Sequence, residues 1–169
     1  MELVAYTLEE PPYFRTEFMG SFRHARELAQ QGREVRLMVS LEMIGYYRDE
    51  PGTQGYPVAA LRMMYPDQGN YIAIVGASGD ESIVRRMKAL FKGASDLPVE
   101  SINAPASVPG VDFSDHANYW HFGMPAVMVT DTAFLRNPHY HQATDTPDTL
   151  DYASMAKVVC ALHAVAMQF

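Results

Sequence analysis

Five short apolar runs, separated by segments of helical period, restrict this chain to a layered α/β architecture. Leu3 to Leu8, Val35 to Ile44, Tyr71 to Val75, Val99 to Ile102 and Pro125 to Thr130 have the length and aliphatic content of buried strands. The first run stops at Glu9-Glu10-Pro11-Pro12, because tandem prolines cannot stay in a ladder. Between the runs, Ser21 to Gln31 places Phe22, Ala25, Leu28 and Ala29 on one helical face and stops at Gly32. Asp80 is placed to cap a second helix reaching Lys92, with Ile83, Val84, Met87, Leu90 and Phe91 at the 3.6 period. A brief helix starts at Ser114-Asp115 and ends at Gly123. The last runs from about Asp148 to Met167, and its second half is apolar nearly all round, so it is expected to be buried. Alternating strands and helices predict a three-layer α/β domain over residues 1–169, a length suited to a single core.

Charge narrows the partners. A net charge of −7 argues against nucleic acid or an anionic membrane surface, both of which need clustered Lys and Arg. It suits a pocket that attracts cations, whether metal ions or amines. A single cysteine, Cys160, excludes an internal disulfide, and its place in an apolar helical run predicts a buried, inert thiol. No stretch approaches the ~18 apolar residues of a membrane span. No signal peptide is visible, as Met1 leads directly into Glu2 and a strand-like run, and the compartment stays open.

Residues 46–70 hold Pro51, Gly52, Gly55, Pro57, Pro66 and Gly69; a punctuated loop of that length inside one domain is usually functional or pocket-forming. Glu9, Glu10 and Glu42 stand at strand ends. Alternation along a strand prevents two adjacent glutamates from taking one role: one can bind a metal while the other reaches water on that metal. Standing alone, such a pair reads first as a solvated strand end. The second cluster, Asn137-Pro138-His139-Tyr140-His141-Gln142-Ala143-Thr144-Asp145-Thr146, follows a buried strand. A neutral imidazole with two carboxylates is a sensible donor set for zinc. Asp145 is a candidate to orient His141 through a hydrogen bond, and it and Thr146 also read as caps of the last helix, with Pro147 in its first turn.

Four blocks occur in the order found in zinc aminopeptidases of the M28 type. They are Thr7-Leu8-Glu9-Glu10, Ser40-Leu41-Glu42-Met43-Ile44-Gly45, Ser114-Asp115-His116 and Tyr140-His141-Gln142-Ala143-Thr144-Asp145-Thr146. The chain resembles that family from residue 3 to about residue 160. The resemblance implies an α/β/α fold with a mixed, mostly parallel sheet, zinc as cofactor and a peptide as substrate. It makes Glu9 the general base, Glu10 and His141 metal ligands, and Tyr140 the hydrogen-bond donor to the oxyanion. Glu42 stands where the family usually has a ligating Asp, one methylene shorter. Asp115 and His116 fall at pocket-wall positions.

The family's His-x-Asp motif, which supplies one ligand and the carboxylate bridging two metals, has no counterpart in these residues. His24, His121 and His163 read as structural. By analogy, the strand carrying that motif lies between the first two strands of this chain. The sheet is therefore expected to be incomplete on its N-terminal side, with at most one zinc bound. The two strands beside the gap are expected to be buried on both faces and to seek a homo-oligomeric partner or a missing N-terminal segment. Two other functions stay open: an inactive remnant or complementation fragment, and a glutaminyl-cyclase-like acyltransferase.

Overall fold

A computed structural model describes residues 1–169. In chain order, helix α1 covers Gly20–Gln30, strand β1 Met38–Glu42, β2 Ile72–Ala77, helix α2 Glu81–Ala94, β3 Val99–Ala104, α3 His116–His121, β4 Ala126–Thr130 and α4 Tyr152–Ala166. The sheet order is β1-β4-β2-β3. β1 runs parallel to β4 and β2 parallel to β3, whereas β2 and β4 are antiparallel. The sheet is therefore mixed, as the resemblance implied, and mostly parallel.

Period-2 alternation divides the central strands between two layers. Ile72, Ile74, Val127 and Val129 face Val84, Met87 and Phe91 of α2 and Val158, Ala161 and Val165 of α4. Val75 and Met128 face the other way, against Val111, with Ala126 under Ala25 and Leu28 of α1 and Tyr119 of α3. β4 is buried at all five positions, which accounts for its unbroken apolar run. Burying each such aliphatic side chain contributes roughly 1.5–3 kcal/mol. Gly76 marks the closest helix–sheet approach: a Cβ there would meet Val84 Cγ2 at 2.4 Å and Asn103 Nδ2 at 2.9 Å.

Residues 3–8 form no strand. β1 takes β4 as its neighbour, and the segment has no ladder to join, so it crosses the surface with Leu3 88% exposed. Tyr6 anchors it, sharing hydrogen bonds with His24 Nδ1 at 2.7 Å and Tyr119 Oη at 2.6 Å, while Gly20 N–H donates to Thr7 O at 2.9 Å. The expectation that this run and β1 are buried on both faces is corrected with it, since only Ser40 of β1 is buried.

Helix α4 buries one stripe rather than its circumference. It covers the α2 side of the sheet and meets nothing on its other side, leaving Val159 56% exposed and Cys160 and His163 at the surface. Its cap is Asp151, which accepts from Ser154 N–H at 3.0 Å. Thr146 and Pro147 begin a separate 3-10 turn, Pro147–Thr149. Asp80 occupies the N-cap position of α2 without a side-chain bond; Glu81 instead accepts from Gly79 N–H at 3.0 Å. No helix is long and apolar enough to cross a membrane.

Candidate active site

Parallel pairing of β1 and β4 brings Glu42 and Thr130, the last residues of each, to the same end of the sheet. The chain leaves both strands through turns held together by Asp131, which is 1% exposed. Its Oδ2 accepts from Gly45 N–H at 3.0 Å and Tyr46 N–H at 2.8 Å, and its Oδ1 from Ala133 N–H at 2.9 Å. Asp131 N–H returns a bond to Met43 O at 2.6 Å. Behind this knot the buried Arg136 guanidinium donates to Gln54 Oε1 at 2.9 Å and to Tyr71 O at 2.9 Å, and lies over the Tyr71 ring. Neither Asp131 nor Arg136 was singled out from sequence. Asp131 carried the same signal as Glu42, an acid directly after a buried apolar run.

Across this strand end, the coil that follows Tyr6 delivers Glu9 and Glu10, and the loop after Asn137 delivers Tyr140 and His141. His141 Nε2 stands 3.4 Å from Glu10 Oε1. The His141 ring stacks on Tyr140, with centroids 3.9 Å apart and planes 14° from parallel. Glu42 is half-buried, and burial lifts its pKa, with the charges of Glu10, Asp115 and Asp131 adding to the lift and the Ser114 hydroxyl opposing it. Burial, followed by the charges of Glu42, Asp115 and Glu10, brings Glu9 up to about 7. The same three glutamates, after burial, push the Tyr140 phenol upward, which keeps it a hydrogen-bond donor. Leu8, Met43 and His141 have φ of 62°, 47° and 55°. Each left-handed residue adjoins a site group or is one, where such strain is often concentrated.

Two expectations need correction. His116 is fully buried and turns away from the cleft: its Nε2 bonds Val111 O at 2.8 Å and its ring meets Trp120 edge-on. Burial drives its pKa down to about 4, so it is a neutral core histidine rather than a pocket wall. Asp115 is half-buried, and its charge acts on Glu9 and Glu42, so it stands with the carboxylate cluster. Asp145 is exposed and makes no bond to His141, whose imidazole is turned to Glu10. His139 is separate as well, with Nδ1 2.9 Å from Thr144 Oγ1.

Glu42 and Tyr140 open onto a cleft lined mainly by apolar groups, among them Leu61, Ile102, Met128 and Phe134. The 46–70 loop contributes Tyr56 and Tyr65 to it, as a pocket-forming loop should. The tyrosine hydroxyls are spent internally: Tyr65 donates to Ser101 O at 2.8 Å, and Tyr56 and Tyr71 share a bond of 3.1 Å. The cleft therefore offers ring faces and aliphatic groups to a ligand.

Only part of a metal's donor set comes together here. Glu10 and His141 are donors of the right chemistry and in contact, with Glu42 beside Glu10. No group of three His, Cys, Asp or Glu side chains is arranged to hold an ion. The donors fit zinc in kind, but the three are not gathered around one point.

The pattern described for Peptidase family M28 matches residues 1–166. The chain belongs to that family. It is 52% identical over 159 residues to the uncharacterized protein YfbL of Escherichia coli K12, an alignment covering 94% of this chain and 48% of that protein. It is 25% identical over 138 residues to a probable leucine aminopeptidase of Arthroderma otae, covering 81% of this chain and 31% of the relative. The fold matches that of the LapA aminopeptidase of Legionella pneumophila with a TM-score of 0.63 and 21% identity, over 88% of this chain and 34% of that one. The M28 chain thus spans half or less of the length of these relatives.

Proposed function

We propose that these residues form the proton-transfer and substrate-pocket side of a zinc-dependent aminopeptidase centre, acting on peptides whose first residue is apolar. The observation that carries the reading is the meeting of Glu10 and His141, 131 positions apart in sequence, beside a second glutamate whose pKa is near neutrality. Glu9, brought up to about 7, can take a proton from an attacking water and hand it to the leaving amine at physiological pH. The Tyr140 phenol remains protonated and can donate to the oxygen that gains charge as the carbonyl is attacked. The cleft beside Glu42 accommodates the side chain of the first residue. Zinc, held by Glu10 and His141 with Glu42, would supply Lewis-acid activation of water and carbonyl. Because a three-donor group is not formed here, residues 1–169 alone read as a half-centre that needs further donors.

Equilibrium dialysis tests the donors. The chain should take up at most one zinc, weakly, with uptake lost in Glu10→Gln and His141→Ala and kept in Glu9→Gln. Uptake indifferent to His141→Ala would sink the assignment. On a leucyl anilide, residues 1–169 should turn over at background. Two tightly held ions, with turnover that Glu9→Gln removes, would overturn the half-centre reading.

A further inference from the structure

Four aromatic contacts and one clasp run in a closed circuit from Glu10 to His141 and back. Tyr13 and Phe14 N–H both donate to Glu10 O, at 3.0 and 3.2 Å, so the Phe14 ring is fixed to the backbone that carries Glu10. Phe14 meets Phe113 edge-on at 6.1 Å, Phe113 meets Phe134 at 5.9 Å, and Phe134 meets Tyr140 at 5.9 Å. Tyr140 then stacks on His141, whose Nε2 faces Glu10. Arg15 locks the join between the first two loops. Its Nη2 lies 2.6 Å from both Asp112 carboxylate oxygens, and its guanidinium carbon sits 5.3 Å from the Phe14 centroid and 5.1 Å from that of Phe113. The circuit joins three loops that share no strand pairing. Its two ends carry non-glycine residues in the left-handed region, Arg15 at φ 61° and His141 at φ 55°. Such backbone persists only where its surroundings over-determine it, and here the side chains of both residues are held.

We infer that Arg15, Asp112, Phe113 and Phe134 are positioning residues, which set the separation of Glu10 and His141 by holding Tyr140 against the imidazole. The inference rests on the donor reading for its consequence, but its geometry does not. An exposed ion pair alone is worth little, about 0–1 kcal/mol. Here a single guanidinium nitrogen reaches both carboxylate oxygens while the group lies against two rings, so its effect is on placement. Asp112→Asn keeps the shape and removes the charge, Arg15→Lys keeps the charge and removes the planar group that lies against the two rings, and Phe134→Ala opens the circuit at its middle.

The test is proton NMR of the chain, reading the His141 Cε1–H resonance, which the Tyr140 ring shifts upfield when the two stack. Phe134→Ala and Asp112→Asn should move that resonance towards the position of a free imidazole, and Phe134→Tyr should restore it. Phe122→Ala, a contact of the α1–α3 side, should leave it in place and serves as the control. Zinc affinity, measured in the same samples, should fall ~10-fold in Phe134→Ala, the size expected for groups that orient ligands. A His141 resonance unmoved in both Phe134→Ala and Asp112→Asn, with amide spectra showing folded protein, overturns the inference. If the resonance moves as stated while wild-type protein takes up no zinc, the circuit stands and the donor reading fails.

Discussion

His116 shows how a single buried group ties stability to pH. Its ring is fully excluded from water, and burial lowers its pKa from 6.5 to about 4 although Nε2 bonds Val111 O. Below pH 6.5 the unfolded chain gains a proton at this residue that the folded chain refuses until about pH 4, so stability present above 6.5 is lost progressively through that window. A shift of that size corresponds to roughly 3 kcal/mol at most. His116→Gln should flatten this part of the stability profile, measured by urea unfolding between pH 7 and about 4. An unchanged slope would show that other groups carry it. At this scale the sequence was legible where a residue type follows a strand: Glu42, Tyr140 and His141 gather with Glu9 and Glu10. It was not legible for His116 and Asp145, because adjacency in a motif does not say which way a side chain turns. The three left-handed residues beside the site lacked the glycine that would have announced them.

At the scale of elements, the ends of β1 and β4 are joined by one carboxylate rather than by apolar contact. Asp131 satisfies three backbone N–H groups, and the buried Arg136 charge favours its ionised form against burial, which raises its pKa. Asp131→Ala would strand those donors and leave the guanidinium without its counter-charge. Removing one side of such a buried arrangement costs roughly 3 kcal/mol or more, and this should appear as a lowered urea midpoint with the m-value unchanged. Asp131→Asn, which keeps an acceptor, should cost less. Equal losses in both would place the stabilisation in the charge rather than in the hydrogen bonds. β2, β3, β4, α1 and α2 were readable because their apolar period coincides with the layer they cover. Residues 3–8 were misread because an apolar run records only that a segment can pair, and pairing needs a neighbour. Cys160 was misread for a related reason. Helix α4 is apolar on a side that nothing in residues 1–169 covers.

For the whole molecule, the free edge of the sheet has a consequence for assembly. β1 is bonded along one side only, by β4, and ends the sheet order. Leu41, at 51% exposure, projects from it, and the coil of residues 3–8 adds Leu3 and Val4 to the exposed apolar surface. An open edge bearing apolar groups is a template for another strand, and β1 has neither proline nor lysine to blunt it. The chain should therefore self-associate through β1, most simply as a two-fold dimer in which two β1 strands pair. Leu41→Lys places an unpaired charge in that contact, while its exposure means the monomer should fold unchanged. Light scattering over a concentration series is expected to show wild-type mass rising towards the dimer and Leu41→Lys staying at the monomer. Hydrogen exchange separates edge pairing from any other contact: amides of Met38–Glu42 should gain protection with concentration in wild type alone. A wild-type monomer at the highest soluble concentration would defeat the prediction. So would a dimer that Leu41→Lys leaves intact, since the contact would then lie elsewhere, with the outer face of α4 the next surface to probe.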